Sequence, residues 1–261
     1  MLRPRPRDDR RTRLIWGLGQ AAFVVFCIYL YFRIRNITEG SYDIAAAHAD
    51  QVLALEGQLG IAVEDTLQQP FLESDVLARI ANSVYIYGHW PVIVATMIWT
   101  VWRHRAVFLR LRDGMIVSGL MGMTVFVSWP LAPPRLADSG MVDTITQDDP
   151  GYRVLQPSQF TNQFAAMPSL HAGWDLLVGI AIVTAASTAL LKAVGYVLPV
   201  LMTVSVVVTG NHYVLDVVAG IAFVLVAHAV ALGLEHRRLR RAAVHRSPAV
   251  AERVEVAGRA G

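Results

Sequence analysis

The sequence predicts an all-α, polytopic membrane protein: a bundle of six transmembrane helices with an amphipathic helix on its outer surface. Three observations predict it. Of 261 residues, 54% are hydrophobic and only 16% charged, where soluble domains carry roughly 25%. Six stretches approach the roughly 20 apolar residues that a bilayer-crossing helix needs. The basic residues alternate from one inter-span segment to the next. This composition excludes a disordered chain and argues against an ordinary soluble enzyme. Inside a bilayer each backbone N–H and C=O must bond within its own segment. Helices satisfy that, and the alternating strands of a barrel are absent.

Residues 1–13 form a basic segment holding Arg3, Arg5, Arg7, Arg10, Arg11 and Arg13. The first span, 14–32, is too long for a signal peptide and lacks a small-residue cleavage site. It contains Cys27, the single cysteine, which leaves no disulfide framework and reads as a small hydrophobe. Between the first two spans, 41–73 carries acids at Asp43, Asp50, Glu56, Glu64, Asp65 and Glu73. Apolar residues recur there at Ile44, Val52, Leu55, Leu59, Val63 and Leu67, close to helical spacing. This is the expected surface helix, either a lid or lipid guide or a solvated helix on the bundle rim. The second span, 76–102, includes Arg79, Asn82, His89 and Pro91, and the third, 115–131, includes Gly119 and Gly122. A Pro-, Asp- and Gln-rich loop fills 132–166. The fourth, fifth and sixth spans are expected at 168–190, 193–208 and 213–234. The fifth is the shortest and carries Pro199. Residues 14–234 thus form one membrane domain, and 235–261 a basic tail that frays at its end.

Charge sets the expected orientation. The N-terminal segment, the link with Arg103, Arg105, Arg110 and Arg112, the link with Lys192, and the tail with Arg237, Arg238, Arg240, Arg241 and Arg246 hold 16 basic residues. The opposite links hold Arg33, Arg35, Arg135 and Arg153. The positive-inside rule places both termini in the cytoplasm of a multi-pass cell-membrane protein. Beside membrane spans the Arg-rich ends read as orientation signals and anionic-lipid anchors, with no nucleic-acid partner.

Three stretches carry chemistry: PLAPPRL at 130–136, MPSLHAGWD at 167–175 and TGNHYVLD at 209–216. Each alone has an ordinary structural explanation. Together, Arg135, His171, His212 and Asp216 fall at the outer ends of three spans, at one depth. Ionisable residues at membrane depth are costly and point to function. The set suits phosphoryl transfer. An imidazole attacks phosphorus while a carboxylate fixes its tautomer. A second imidazole protonates the leaving oxygen, and an Arg offers a fork matched to phosphate oxygens. Amides at Ser169 to His171, on the positive end of a helix, add anion affinity. Asp175, one turn beyond His171, must be paired or protonated. The options are a bond to His171, a pair with His89, or a protonated carboxyl on a backbone carbonyl.

On these residues the chain resembles the type 2 phosphatidic acid phosphatase superfamily, and within it the inositol phosphorylceramide synthase-like branch. The resemblance runs from about Asn82 to Gly220. The Pro-Ser-Gly-His motif stands here as Pro168, Ser169, Leu170 and His171, and the His-x3-Asp motif as His212 to Asp216. It implies a phosphorylated nucleophile at His212, a general acid at His171 and no metal or other cofactor. The sequence shows no further His/Asp/Glu cluster at ligand spacing. The chain departs from the superfamily where Ser128 replaces a Lys, Val206 an Arg and Leu170 the Gly. Arg135 is then the first candidate to neutralise phosphate, with Arg153 or His89 as substitutes and Asn211 as an added donor. The APPR form at 132–135 resembles the inositolphosphotransferase branch.

The resemblance implies an enzyme acting on a lipid-linked phosphate at the outer leaflet. Water as acceptor makes it a phosphatase, and a sugar, inositol or lipid hydroxyl makes it a head-group transferase. A catalytically silent membrane scaffold is the alternative that the lost basic residues leave open. A transporter is disfavoured, because the ionisable groups gather at one face and no inverted repeat is evident.

Overall fold

The computed structural model describes residues 10–37, 41–145 and 162–258. Within these residues all long elements are helices: α1 (Arg10–Ile37), α2 (Tyr42–Leu59), α3 (Glu64–Leu72), α4 (Asp75–Tyr87), α5 (Trp90–Arg103), α6 (Arg105–Ser128), α7 (Leu170–Ala185), α8 (Ala189–Val208) and α9 (Val214–Gly258). Four of them, α1, α6, α8 and α9, are long and apolar enough to cross a bilayer, and α4 with α5 makes a fifth as a bent pair. The chain is a multi-pass membrane protein.

Several boundaries differ from the sequence expectation for local reasons. The second span is two helices meeting at 44°. Pro91, in the first turn of α5, has no N–H to continue a helix. A Cβ at Gly88 would run into the Val84 carbonyl. The break leaves His89 at the bend, only 2% exposed. The arginine-rich link before the third span is helical, and α6 starts immediately beyond His104. The fourth stretch yields a helix of 16 residues, about 24 Å long, because Thr188 already caps α8 through its hydroxyl. The last helix continues through the tail expected to fray, as far as Gly258.

The amphipathic stretch is also two helices. Gly60 adopts φ +69° and ends α2, a conformation that costs glycine little. The face of α2 turned to the bundle keeps only Val52 of the recurring apolar positions. Ala45, Ala49, Val52 and Glu56 are buried, while Ile44, Leu55 and Leu59 of α2 and Leu67 of α3 are exposed. Small side chains let α2 lie close against Leu131, Ala132, Ala166 and Tyr213.

Helix α7 runs through the centre, with Trp174, Leu177, Val178 and Ile182 in the main core. Its start is pressed onto α9. A Cβ on Gly173 would meet Val224 at 2.7 Å and the Gly220 carbonyl at 2.9 Å, and one on Gly220 would overlap the Ser169 carbonyl. At the opposite end, α6 and α9 are joined by Arg238 Nη1 to Asp113 Oδ2 at 2.6 Å and Arg110 Nε to Glu235 Oε2 at 3.2 Å.

Candidate active site

The site begins at the tight turn after α8. Gly210 takes φ +70°, and the amides of Asn211 and His212 both donate to the Val206 carbonyl, at 3.1 and 3.0 Å. This turn delivers His212 to the start of α9 as a buried residue, 5% exposed. One helical turn later, Asp216 is fully buried, its Oδ2 3.4 Å from His212 Nδ1. The same oxygen accepts the Tyr213 amide at 3.0 Å.

His171 comes from the first turn of α7. Ser169 caps that helix, its Oγ accepting the Ala172 amide at 3.4 Å. The Ser169 amide in turn donates to the main-chain oxygen of Asp216 at 2.9 Å. The two histidine-bearing helix starts therefore share one backbone hydrogen bond, across the glycine contact that lets them approach. The imidazoles of His171 and His212 lie 6.0 Å apart, centroid to centroid. His171 also lies against Tyr85 at 4.8 Å and His89 at 4.2 Å.

The other expected residues divide. The backbone of Arg135 lies beside the His212 turn: its amide donates to the Gly210 carbonyl at 2.9 Å, two residues before His212. Its Nε lies 3.4 Å from Asp143 Oδ2. Asp175 pairs with His89, Oδ1 to Nδ1 at 2.9 Å, with both residues buried. That selects one of the options open for it. Asn211 donates its side-chain amide to Thr209 Oγ1 at 2.8 Å. The Ser169 hydroxyl accepts in the helix cap and keeps its own O–H to donate. Arg153 lies outside the described residues. At the departures from the superfamily pattern, Val206 is fully buried among Tyr85, Ile86 and Met202. Ser128 turns back on its own helix, donating to the Thr124 carbonyl.

Sequence reasoning missed Glu56, Glu64 and Gln68, all buried. Glu64 Oε1 accepts the Val214 amide at 2.8 Å, and Glu56 Oε1 accepts the Leu215 amide at 2.7 Å. Gln68 Nε2 donates to the carbonyls of Val142 and Val208, each at 2.9 Å. One signal was available. Tyr213, at the cap position of α9, has no oxygen suited to the role that Ser, Thr, Asp or Asn fill, so the acceptors had to come from elsewhere in the chain.

Burial pushes the Glu56 carboxyl up to about 8; the Leu215 amide opposes the rise, and the Glu64 and Asp216 carboxyls reinforce it. Glu56 thus holds its proton more tightly in the folded than in the unfolded chain, and stability is lost as pH rises through that window. Glu56→Gln keeps the acceptor and cannot ionise. Its thermal-unfolding advantage over the wild type should be near zero at about pH 4 and grow toward pH 8. A difference that shrinks over that range would contradict this account.

Beneath the histidines lies an apolar cavity of about 260 Å³ between α1, α5, α6 and α7, lined by Cys27, Tyr31, Trp90, Met115, Gly119 and Trp174 among others. Trp90 and Trp174 form its wall toward the site, and both pack on the His89 ring. Among the described residues no three His, Cys, Asp or Glu side chains converge to hold a metal ion.

No curated protein and no solved structure matches the chain. The family model of the PAP2 superfamily matches residues 50–230, a stretch that contains Arg135, both histidine–aspartate pairs and the two glutamates capping α9, and the chain belongs to that superfamily.

Proposed function

We propose that the protein is a phosphohydrolase or phosphotransferase of lipid-linked phosphates that works through a phosphohistidine on His212. The observation that carries this reading is the pair of imidazoles 6.0 Å apart, one of them backed by a buried carboxylate. His212 turns Nδ1 to Asp216, so Nε2 is the nitrogen that attacks phosphorus. An N–P bond forms, the P–O bond to the lipid breaks, and His171 gives its proton to the departing oxygen. His171 then takes a proton from water or another hydroxyl as that oxygen attacks phosphorus. The N–P bond breaks, and its electron pair returns to His212. Asp216 stabilises the imidazolium throughout, and Arg135 binds the phosphate oxygens. No step of this sequence calls for a metal.

The reading places six spans in the bilayer, with α7 as the short fourth, both termini cytoplasmic and the histidines at the outer face. The split of basic residues supports that orientation, as does the arginine-rich end of α6 and α9 lying opposite the site. A lipid substrate is supported by the apolar cavity beneath the histidines. Head-group transfer to a lipid or inositol hydroxyl is the variant favoured by the APPR form at 132–135. Purified protein should release phosphate from, or move it between, members of a panel of lipid phosphates, with full activity in EDTA. No turnover of any member would favour a silent scaffold.

Arg135→Lys should not be conservative. Lysine keeps the charge but loses the planar fork, so both KM and kcat should worsen, by roughly 10-fold or more in kcat/KM, the scale of one charged hydrogen bond. Equal kinetics for the two residues would reduce Arg135 to a packing role against Gly210.

A further inference from the structure

The start of α9 is capped from a distant part of the chain. A helix leaves its first amides without intrahelical partners, and here three consecutive ones are each taken by a different buried carboxyl. The Tyr213 amide goes to Asp216, the Val214 amide to Glu64 and the Leu215 amide to Glu56, at 3.0, 2.8 and 2.7 Å. Asp216 reaching back to Tyr213 is the acidic half of a capping box. The other half, a cap side chain accepting the Asp216 amide, is missing at Tyr213, and the α2–α3 hairpin instead takes the Val214 and Leu215 amides across roughly 150 residues of chain. Gln68 on α3 then fixes the hairpin to the end of α8 through the Val208 carbonyl.

We infer that Glu56 and Glu64 are positioning residues for His212 and Asp216: by holding the first turn of α9, the hairpin sets the imidazole–carboxylate geometry on which turnover depends. The inference rests on the reading of His212 as nucleophile. Two features make the first turn decisive. His212 and Asp216 are 3.4 Å apart, at the long limit of a hydrogen bond, so a small displacement of the turn breaks their contact. The Asp216 carbonyl also accepts the Ser169 amide, so the same turn holds the helix that carries His171. Glu56 and Glu64 touch neither imidazole in any described contact and act through the backbone.

The test compares Glu56→Ala and Glu64→Ala with Glu56→Gln and Glu64→Gln in full-length protein. One readout is steady-state turnover of dioctanoyl phosphatidic acid. The other is the rate of diethyl pyrocarbonate modification of His212, mapped by peptide mass spectrometry with exposed His236 as internal reference. Loss of the caps should lower kcat by roughly 100-fold, the cost of a misplacement near 1 Å, with KM changed far less. The Gln variants, which keep an acceptor oxygen, should recover most of kcat. The Ala variants should shift His212 reactivity relative to His236, and the Gln variants should not. Unchanged kcat or unchanged His212 reactivity in folded Ala variants would overturn the inference. If the wild type turns over no phosphatidic acid, the phosphatase reading fails for this substrate, and His212 reactivity alone decides the positioning role.

Discussion

Asp216→Asn is expected to lower turnover by about four orders of magnitude while the protein stays folded, the scale seen when a carboxylate that orients a catalytic imidazole is neutralised. The carboxylate makes two contacts through one oxygen, to His212 Nδ1 and to the Tyr213 amide. Asparagine presents one acceptor oxygen and one NH2 group that can only donate. Keeping the oxygen on the Tyr213 amide preserves the helix start but leaves no negative charge for the imidazolium that forms on phosphorylation. Turning the N–H toward His212 selects the wrong tautomer. Either way the attacking nitrogen loses basicity, and KM for the lipid phosphate should change little. His171→Ala differs: it should lose turnover yet still accept phosphate slowly from a substrate with a good leaving group, because only the proton donor is missing. Rapid kinetics with a nitrophenyl phosphate ester separates the two. Near-normal turnover by Asp216→Asn would remove the imidazole–carboxylate pair from the mechanism.

Gly220→Ala is the second large effect. A Cβ at this position overlaps the Ser169 carbonyl, with the Ser169 carbon at 2.9 Å and nitrogen at 3.2 Å. Backbone cannot swing aside as a flexible side chain does, so α7 and α9 must part at the level of the site. Overpacking of this kind costs about 1–3 kcal/mol. The displacement also stretches the bond from the Ser169 amide to the Asp216 carbonyl and widens the gap between the imidazoles. Thermal stability and kcat should therefore fall together. Gly233→Ala on the same helix meets nothing within 4 Å and should match the wild type in both. Equal behaviour of the two variants would contradict the close approach of α7 and α9.

Much of the architecture and the centre of the site were legible in the sequence, because both rest on local signals. Apolar length marks a membrane helix wherever it falls, and the spacing of four brings His212 and Asp216 together, although His212 sits in the turn before α9 and not on its helical face. His171 and His212 come together because topology puts the starts of α7 and α9 at one level, and the backbone of Arg135 joins them through the Gly210 carbonyl. What escaped depends on contacts between distant segments. In 41–73 the acids fall on a helix expected at the outer surface, yet Glu56 and Glu64 are buried caps for a helix roughly 150 residues away. Of the recurring apolar positions of α2 only Val52 is buried, and Ala45 and Ala49 make the rest of the contact. The period of 3.6 shows that a helix has two faces, and for α2 it does not tell which one a neighbour of closely fitting shape will select. The pairing of Asp175 with His89 was one open option among several, decided by the bend that the Gly88 and Pro91 pair imposes on the second span.

The central claim is that phosphate passes through His212. The direct measurement is to mix purified enzyme with ³²P-labelled phosphatidic acid, quench within one turnover and map the label by peptide mass spectrometry. The expected result is an acid-labile, base-stable phosphoryl group on His212, absent in His212→Ala. Label on any other residue, or phosphate release by His212→Ala at the wild-type rate, would contradict it.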